Sequence, residues 1–290
     1  MRIRSINFYS NFQIIFLFAF SSIPSCKAQK VELTKFYQPH NYVCYQTSEP
    51  LQIDGKDTEP MWQNAPWTSS FIDIEGDSKP VPAFQTQAKM LWDKEYFYFF
   101  AKLEEPHIWA KLTQRDAVIY YDDDFEIFID PDGDGHNYYE FEVNAFNTLW
   151  DLFLTHPYYL KKDPNYLFNW TIPNVKTAVH VEGTVNNPND KDQFWSVEFA
   201  IPWDALEEMS GRQRLPKPGE QWRVNFSRVD WKMDILNGQY VKKKILSLEK
   251  YCLKTIGFGR QPVSLICIVQ NDGAMFSFLK KKLEMAKMSL

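Results

Sequence analysis

The residues best equipped for chemistry in this chain are gathered between Tyr120 and Asn144, in YYDDDFEIFIDPDGDGHNYYEFEVN. Phe125, Ile127 and Ile129 fall at one parity and Glu126 and Phe128 at the other. After an acidic Gly-rich loop, Tyr139, Phe141 and Val143 alternate with Glu140, Glu142 and Asn144. Period-two alternation on both sides of a turn predicts a β-hairpin with one apolar face and one face of carboxylates, an amide and aromatic rings. Carboxylates and amides hydrogen-bond hydroxyls, and rings stack on apolar C–H surfaces. The face therefore suits a ligand rich in hydroxyls and poor in charge, such as a sugar. An ordinary amphipathic hairpin with a solvated outer face accounts for the same letters.

Other chemistries compete for these residues. Asp130, Asp132 and Asp134 set oxygens at alternate positions, as in the first half of a calcium loop. The twelfth position is Phe141 and strands flank the loop, so it is no EF-hand, and a tight turn built on Asp and Gly explains it equally. Asp122, Asp123, Asp124, Glu126, Glu140 and Glu142 could supply the two carboxylates of a glycosidase, although acid and base need contrasting environments. Arg115 beside Asp116 reads either as a surface ion pair or as a clamp for sugar hydroxyls. Trp109, which follows Pro106 and His107, and Trp150, beside Asp151, are candidate stacking platforms or core. Trp92 and Trp195, on expected strands, read as core.

Several function classes are disfavoured. A net charge of −5 offers no basic field for nucleic acid. HExxH, GxSxG, Walker and dinucleotide-binding patterns are absent. The four Cys lack zinc or haem-attachment spacing, leaving no cofactor beyond the calcium considered above.

The elements that must position these residues follow from the rest of the chain. Arg2 and Arg4 precede an apolar run, Ile14 to Phe20, too short to span a bilayer and long enough for a secretory signal. Residues 1–28 thus read as a signal peptide on a protein without a transmembrane segment, exported to the periplasm, cell surface or medium. Cleavage after Ala28 competes with a lipid anchor at Cys26. From Leu51 to Tyr240, short alternating segments are split by Pro, Asn, Asp and Gly. The expected strands are Gln87–Trp92, Tyr96–Leu103, Phe125–Asp130, Tyr138–Asn144, Asp151–Thr155, Thr177–Val185, Gln193–Ile201 and Gln221–Asp230. Short helices are expected at Glu59–Ala65 and Trp203–Met209, the latter after Pro202. With no internal repeat, the pattern predicts one all-β domain over residues 45–243, a lectin-like or jelly-roll-like antiparallel β-sandwich.

Five segments, taken in order, resemble the family 9 carbohydrate-binding modules of exported bacterial proteins: LQIDGKDTEPMWQNAP, KMLWDKEYFYFFAKLEEPHIW, DDDFEIFIDPDGDGHNYYEFEVNAFNTLWDLFL, FWSVEFAIPWDAL and GEQWRVNFSRVDW. The resemblance covers roughly Leu51 to Trp231. It implies a lectin-like sandwich that binds polysaccharide or oligosaccharide, often in cell-wall breakdown, with no catalytic residues of its own. Structural calcium is found in family members, and some relatives of the wider superfamily bind haem. Carried over residue by residue, the resemblance aligns Tyr120 with a ring that sandwiches the sugar and Glu126 with a carboxylate that bonds its hydroxyls. Glu142 stands where a basic residue is expected, which is a departure. With Asn144 on the same face, and Trp109, Trp150 and Arg115 as additional contacts, these form the candidate sugar site.

The C-terminal tail, 244–290, reads differently. All ten Trp lie before residue 232, and the change in composition begins at Lys242, Lys243 and Lys244. Permitted codons for Lys254 to Phe278, read from the third base, give NYWVWSPTGVINMHRPERWGYVQF, which resembles the closing motif of the same family branch. First and second codon bases are largely fixed by the amino acids, so the tail is read as a frameshifted translation. On this reading residues 245–290 add no native element, and one sheet edge stays unpaired.

Overall fold

The computed structural model describes residues 42–73, 79–157, 166–167, 170–210, 215–217 and 220–243, and the backbone of 254–259. In chain order the elements are β1 (Tyr45–Gln46), α1 (Pro60–Asn64), β2 (Ile72–Asp73), β3 (Thr86–Trp92), β4 (Tyr96–Glu104), a 3₁₀ turn (Ile119–Tyr121), β5 (Asp124–Asp130) and β6 (Tyr138–Asn144). They continue with β7 (Leu149–Leu154), β8 (Tyr166–Leu167), β9 (Lys176–Glu182), β10 (Phe194–Pro202), α2 (Trp203–Ser210), β11 (Arg223–Trp231), β12 (Met233–Leu236), β13 (Gln239–Lys242) and β14 (Lys254–Gly259). A five-stranded sheet, β1-β3-β4-β10-β9, packs on a seven-stranded sheet, β2-β14-β11-β5-β6-β7-β8, and β12 pairs with β13 apart from both. Among the described strands every ladder is antiparallel except β1 with β3. The expected sandwich is what forms.

The alternation decides which side chains meet. Phe97, Phe99, Ala101 and Leu103 from β4 and Val197, Phe199 and Ile201 from β10 face Phe125, Ile127, Ile129, Tyr139, Phe141, Val143 and Phe226 in one core. Phe99 meets Phe226 edge-on at 6.0 Å, a favoured aromatic geometry. Trp195 is core, as its strand position suggests.

The outer face of the five-stranded sheet is sealed by residues 51–64, and this explains the IDGK…MW stretch. Glu198 on β10 accepts hydrogen bonds from the Asp54 and Gly55 amides at 2.9 and 3.1 Å and from Trp62 Nε1 at 2.8 Å. Lys89 on β3 bonds Asp57 at 2.9 Å and the Trp62 carbonyl at 2.8 Å. Gly55, at φ +82, lies so close to β9 that a Cβ would sit 2.6 Å from the His180 amide nitrogen. Only glycine fits such a position without strain.

Several expectations need correction. Trp150 lies within β7, which begins at Leu149 rather than Asp151, so it is a strand residue. Residues 254–259 do form an element: β14 pairs with β11 from Trp231↔Lys254 to Phe226↔Gly259 and with β2 on its other side. Pairing there uses backbone groups, which an unfilled edge of β11 offers to any extended segment. The β12–β13 hairpin adds to the expected elements, and Asn237-Gly238 between two alternating runs is its signal. The signal segment 1–28 and residues 260–290 lie outside the described residues.

Candidate functional site

The outer face of the seven-stranded sheet collects most of the residues singled out in the sequence. Register puts Glu126 opposite both Glu142 and Ser227, Glu142 opposite Trp150, Asp124 opposite Asn144, and Phe128 opposite Glu140. Apolar side chains flank this acidic strip: Trp109, Tyr120, Trp150, Trp231 and Tyr240 belong to a second apolar cluster that also takes in Leu152 and, towards the β5–β6 loop, Phe128 and Tyr138. Tyr120 lies 6.1 Å from Trp150. The structure thus unites Tyr120, Glu126, Glu142, Asn144, Trp109 and Trp150 on one side of the sheet.

Their environment differs from that of an open platform. Tyr120, Trp109 and Trp150 are 4%, 1% and 5% exposed, and Asp124, Glu126, Glu140 and Glu142 are fully buried. Much of the polar strip is engaged internally. Glu126 accepts a short hydrogen bond from the Ser227 hydroxyl, and Glu142 accepts one from the Tyr120 amide at 3.0 Å. Asn144 was read as a sugar contact, but its amide group donates to the Leu112 carbonyl and Asp122 and accepts from the Phe146 and Thr148 amides. All four of its hydrogen-bonding positions are taken, so it shapes the loop at the end of β6 instead. Arg115 bonds the buried Asp151 at 2.6 Å and lies 3.8 Å from Asp116, while its side chain stays 42% exposed.

The acidic run Asp122–Asp124, conspicuous in the sequence, binds backbone. Asp122 accepts from the Lys111 and Leu112 amides, Asp123 from that of Trp231, and Asp124 from that of Val229. These bonds fix the 3₁₀ turn that carries Tyr120. Asp123 also belongs to a second acid group with Glu105 and Asp230, beside the buried Arg228, which pairs with Glu105 at 2.6 Å. Burial pushes the Glu105 carboxyl up to about 7 in spite of that arginine, and raises Asp123 and Asp230 as well.

Ligand oxygens of Asp124, Glu126 and Glu142 lie within 4.8 Å of one another. A glycosidase needs an acid and a base in contrasting settings on either side of a sugar bond. Here the three carboxylates share one buried setting, which does not support the hydrolytic alternative. In the β5–β6 loop, oxygens of Asp130, Asp132 and Asp134 also lie within 4.8 Å of one another. Asp130 accepts from the Gly133 and Gly135 amides at 2.8 and 2.9 Å, the pattern of a self-supported turn.

Sequence reasoning overlooked Lys242 and Tyr121. The Lys242 ammonium lies 3.7 Å from the Trp231 ring centroid, 5.5 Å from that of Trp109 and 5.8 Å from that of Tyr121. Tyr121 lies in the acidic hairpin stretch and Lys242 in the lysine run, but no spacing in the sequence brings the two together.

The model of a carbohydrate family 9 binding domain-like family matches residues 53–226. A stretch of 88 residues is 30% identical to endo-1,4-beta-xylanase C of Paenibacillus barcinonensis, covering 30% of this chain and only 7% of that much longer enzyme. Among solved structures, a family 9 carbohydrate binding module from Caldicellulosiruptor kristjanssonii in complex with cellotriose aligns at 14% identity and TM-score 0.46, over 80% of this chain and 96% of its own. Its complex with glucose aligns at 18% identity and TM-score 0.43, over 66% of this chain and 78% of its own.

Proposed function

Because the chain belongs to the carbohydrate family 9 binding domain-like family, we propose that it is a non-catalytic saccharide-binding protein, accessory to the breakdown of extracellular or periplasmic glycans. The family match over residues 53–226 carries this reading. The binding surface is assigned to the aromatic end of the seven-stranded sheet's outer face, where Tyr120 and Trp150, 4% and 5% exposed, serve as stacking rings and Glu126 and Glu142 as the polar floor once the packing over them opens. Stacking dominates the affinity, because sugar hydroxyls gain little net from exchanging water for protein hydrogen bonds. Glycan-array binding followed by calorimetry on the full chain tests the proposal, with β-glucan and xylan oligosaccharides as probes. Saturable binding without cleavage is the expected result; hydrolysis of the probe, or no binding to any glycan, overturns it.

Two other elements of the reading stand as proposals with their own tests. Calcium at Asp130, Asp132 and Asp134 predicts that about 1 mM Ca²⁺ raises the melting temperature and that Asp132→Asn with Asp134→Asn abolishes the rise. The frameshift predicts a one-base length difference in the gene near the codons for Lys242–Lys244. The corrected chain would carry NYWVWS where β14 now lies. A clean read that reproduces the present codons would refute it.

A further inference from the structure

We propose that the β12–β13 hairpin is a movable cover on the aromatic end of this face, and that Lys242 controls access to it. The inference rests on the saccharide reading above. Among the described strands, β12 and β13 pair only with each other. Their turn, Asn237-Gly238, has φ of 52 and 72, the left-handed geometry of a tight hairpin. A lone two-stranded hairpin is marginal in water, so its position depends on the side chains it sets down. Ile235 and Leu236, near the turn, are 52% and 60% exposed.

The side chains set down at the other end are specific. Met233 packs against the aromatic cluster and Tyr240 is part of it. The Tyr240 hydroxyl lies 3.0 Å from His107 Nδ1 and 3.2 Å from the Asn187 carbonyl oxygen, to which it donates. Lys242 donates to the Tyr121 carbonyl, and its ammonium sits among the Trp109, Tyr121 and Trp231 rings. Trp231 Nε1 in turn donates to the Tyr120 carbonyl at 3.1 Å. Lys242 is therefore seated against the short turn that bears Tyr120. Lys242 lies over the rings beside Tyr120 rather than over Tyr120 itself, and so pins the hairpin to the turn that bears it. A saccharide reaching Tyr120 requires that hold to release, and the fraction of molecules with the hairpin lifted scales the apparent affinity.

Two variants and one chemical footprint test this. Lys242→Ala should raise glycan affinity about tenfold by removing the side chain that holds the hairpin against the Tyr120 turn. Lys242→Met, which refills the cage with an apolar chain, should stay within about threefold of the parent. Unchanged or weaker binding by Lys242→Ala overturns the proposal and makes Lys242 a structural or direct contact residue. Independently of any sugar, mass-spectrometric acetylation kinetics should show Lys242 reacting more slowly than the exposed Lys232 and Lys243, and equal rates overturn the caged position. If Lys242 is protected but neither parent nor variants bind any glycan, the caged position is supported and the saccharide reading is the one that fails.

Discussion

The two outer faces of the sandwich solve the same problem in different ways. Each carries at least one buried carboxylate beneath a segment that is not part of its sheet. Over the five-stranded sheet the cover is residues 51–64, fixed by Glu198 with three donors, by Lys89 with two acceptors, and by the fully buried Trp62. Over the seven-stranded sheet Asp122 and Glu142 are bonded by the Lys111, Leu112 and Tyr120 amides of the segment before β5, and a two-residue-turn hairpin with an exposed tip is held against that segment by Tyr240 and Lys242. Buried acids alone therefore do not mark a ligand site. How the cover is anchored separates a sealed face from one that can be opened.

The largest expected effect is on the sealed face. Trp62→Ala should cost about 3–5 kcal/mol in urea denaturation, since it opens a cavity and strips Glu198 of a donor. Tyr240→Phe, which removes the hydroxyl contacts of the hairpin, should cost only about 1 kcal/mol. Comparable losses from the two would erase the distinction between the covers.

Next in size is the effect on binding. Tyr120→Ala should weaken glycan binding by about tenfold, in line with the loss of one stacking ring. Trp67→Ala, removing a half-exposed ring beside Phe100 on the opposite side of the sandwich, should leave binding unchanged. Equal losses would place the ligand elsewhere. Circular dichroism on both variants checks that the sandwich is intact.

A smaller effect concerns pH. Burial outweighs the three donors and pushes the Glu198 carboxyl from its ordinary 4.5 to about 7. The folded state then holds this proton more tightly than the unfolded chain, so the contribution is greatest at low pH and is lost as pH climbs from 4.5 to about 7. Glu198→Gln should flatten that part of the stability profile, read as urea midpoints at intervals across the range. A profile as steep as the parent's would assign the slope to Glu105, which shifts in the same direction. Smallest of all, Leu236→Ala at the exposed hairpin tip should change stability by less than about 0.5 kcal/mol.

Much of the fold was legible from local pattern. Alternation in Phe125–Ile129 and Tyr139–Val143 sorts core from outer face in any antiparallel pairing, because the side-chain period is fixed by backbone geometry. Trp203–Met209 after Pro202 signalled a helix in the same way. The family resemblance followed from residues in their printed order. The roles of individual polar residues did not. Asn144 has the chemistry of a sugar contact, yet Leu112 and Asp122 claim its amide donors. Lys242 has the chemistry of a solvated lysine, yet three rings from separate segments surround it. Sequence by itself determined the strand pattern, the two-faced sheets and the family, because those depend on neighbours along the chain. Which carboxylates bind backbone, which rings lie under a cover and which cation holds that cover were decided only when β11, the 3₁₀ turn and the β12–β13 hairpin met in space, because hydrogen-bond and ring partners are chosen by proximity that local spacing does not encode.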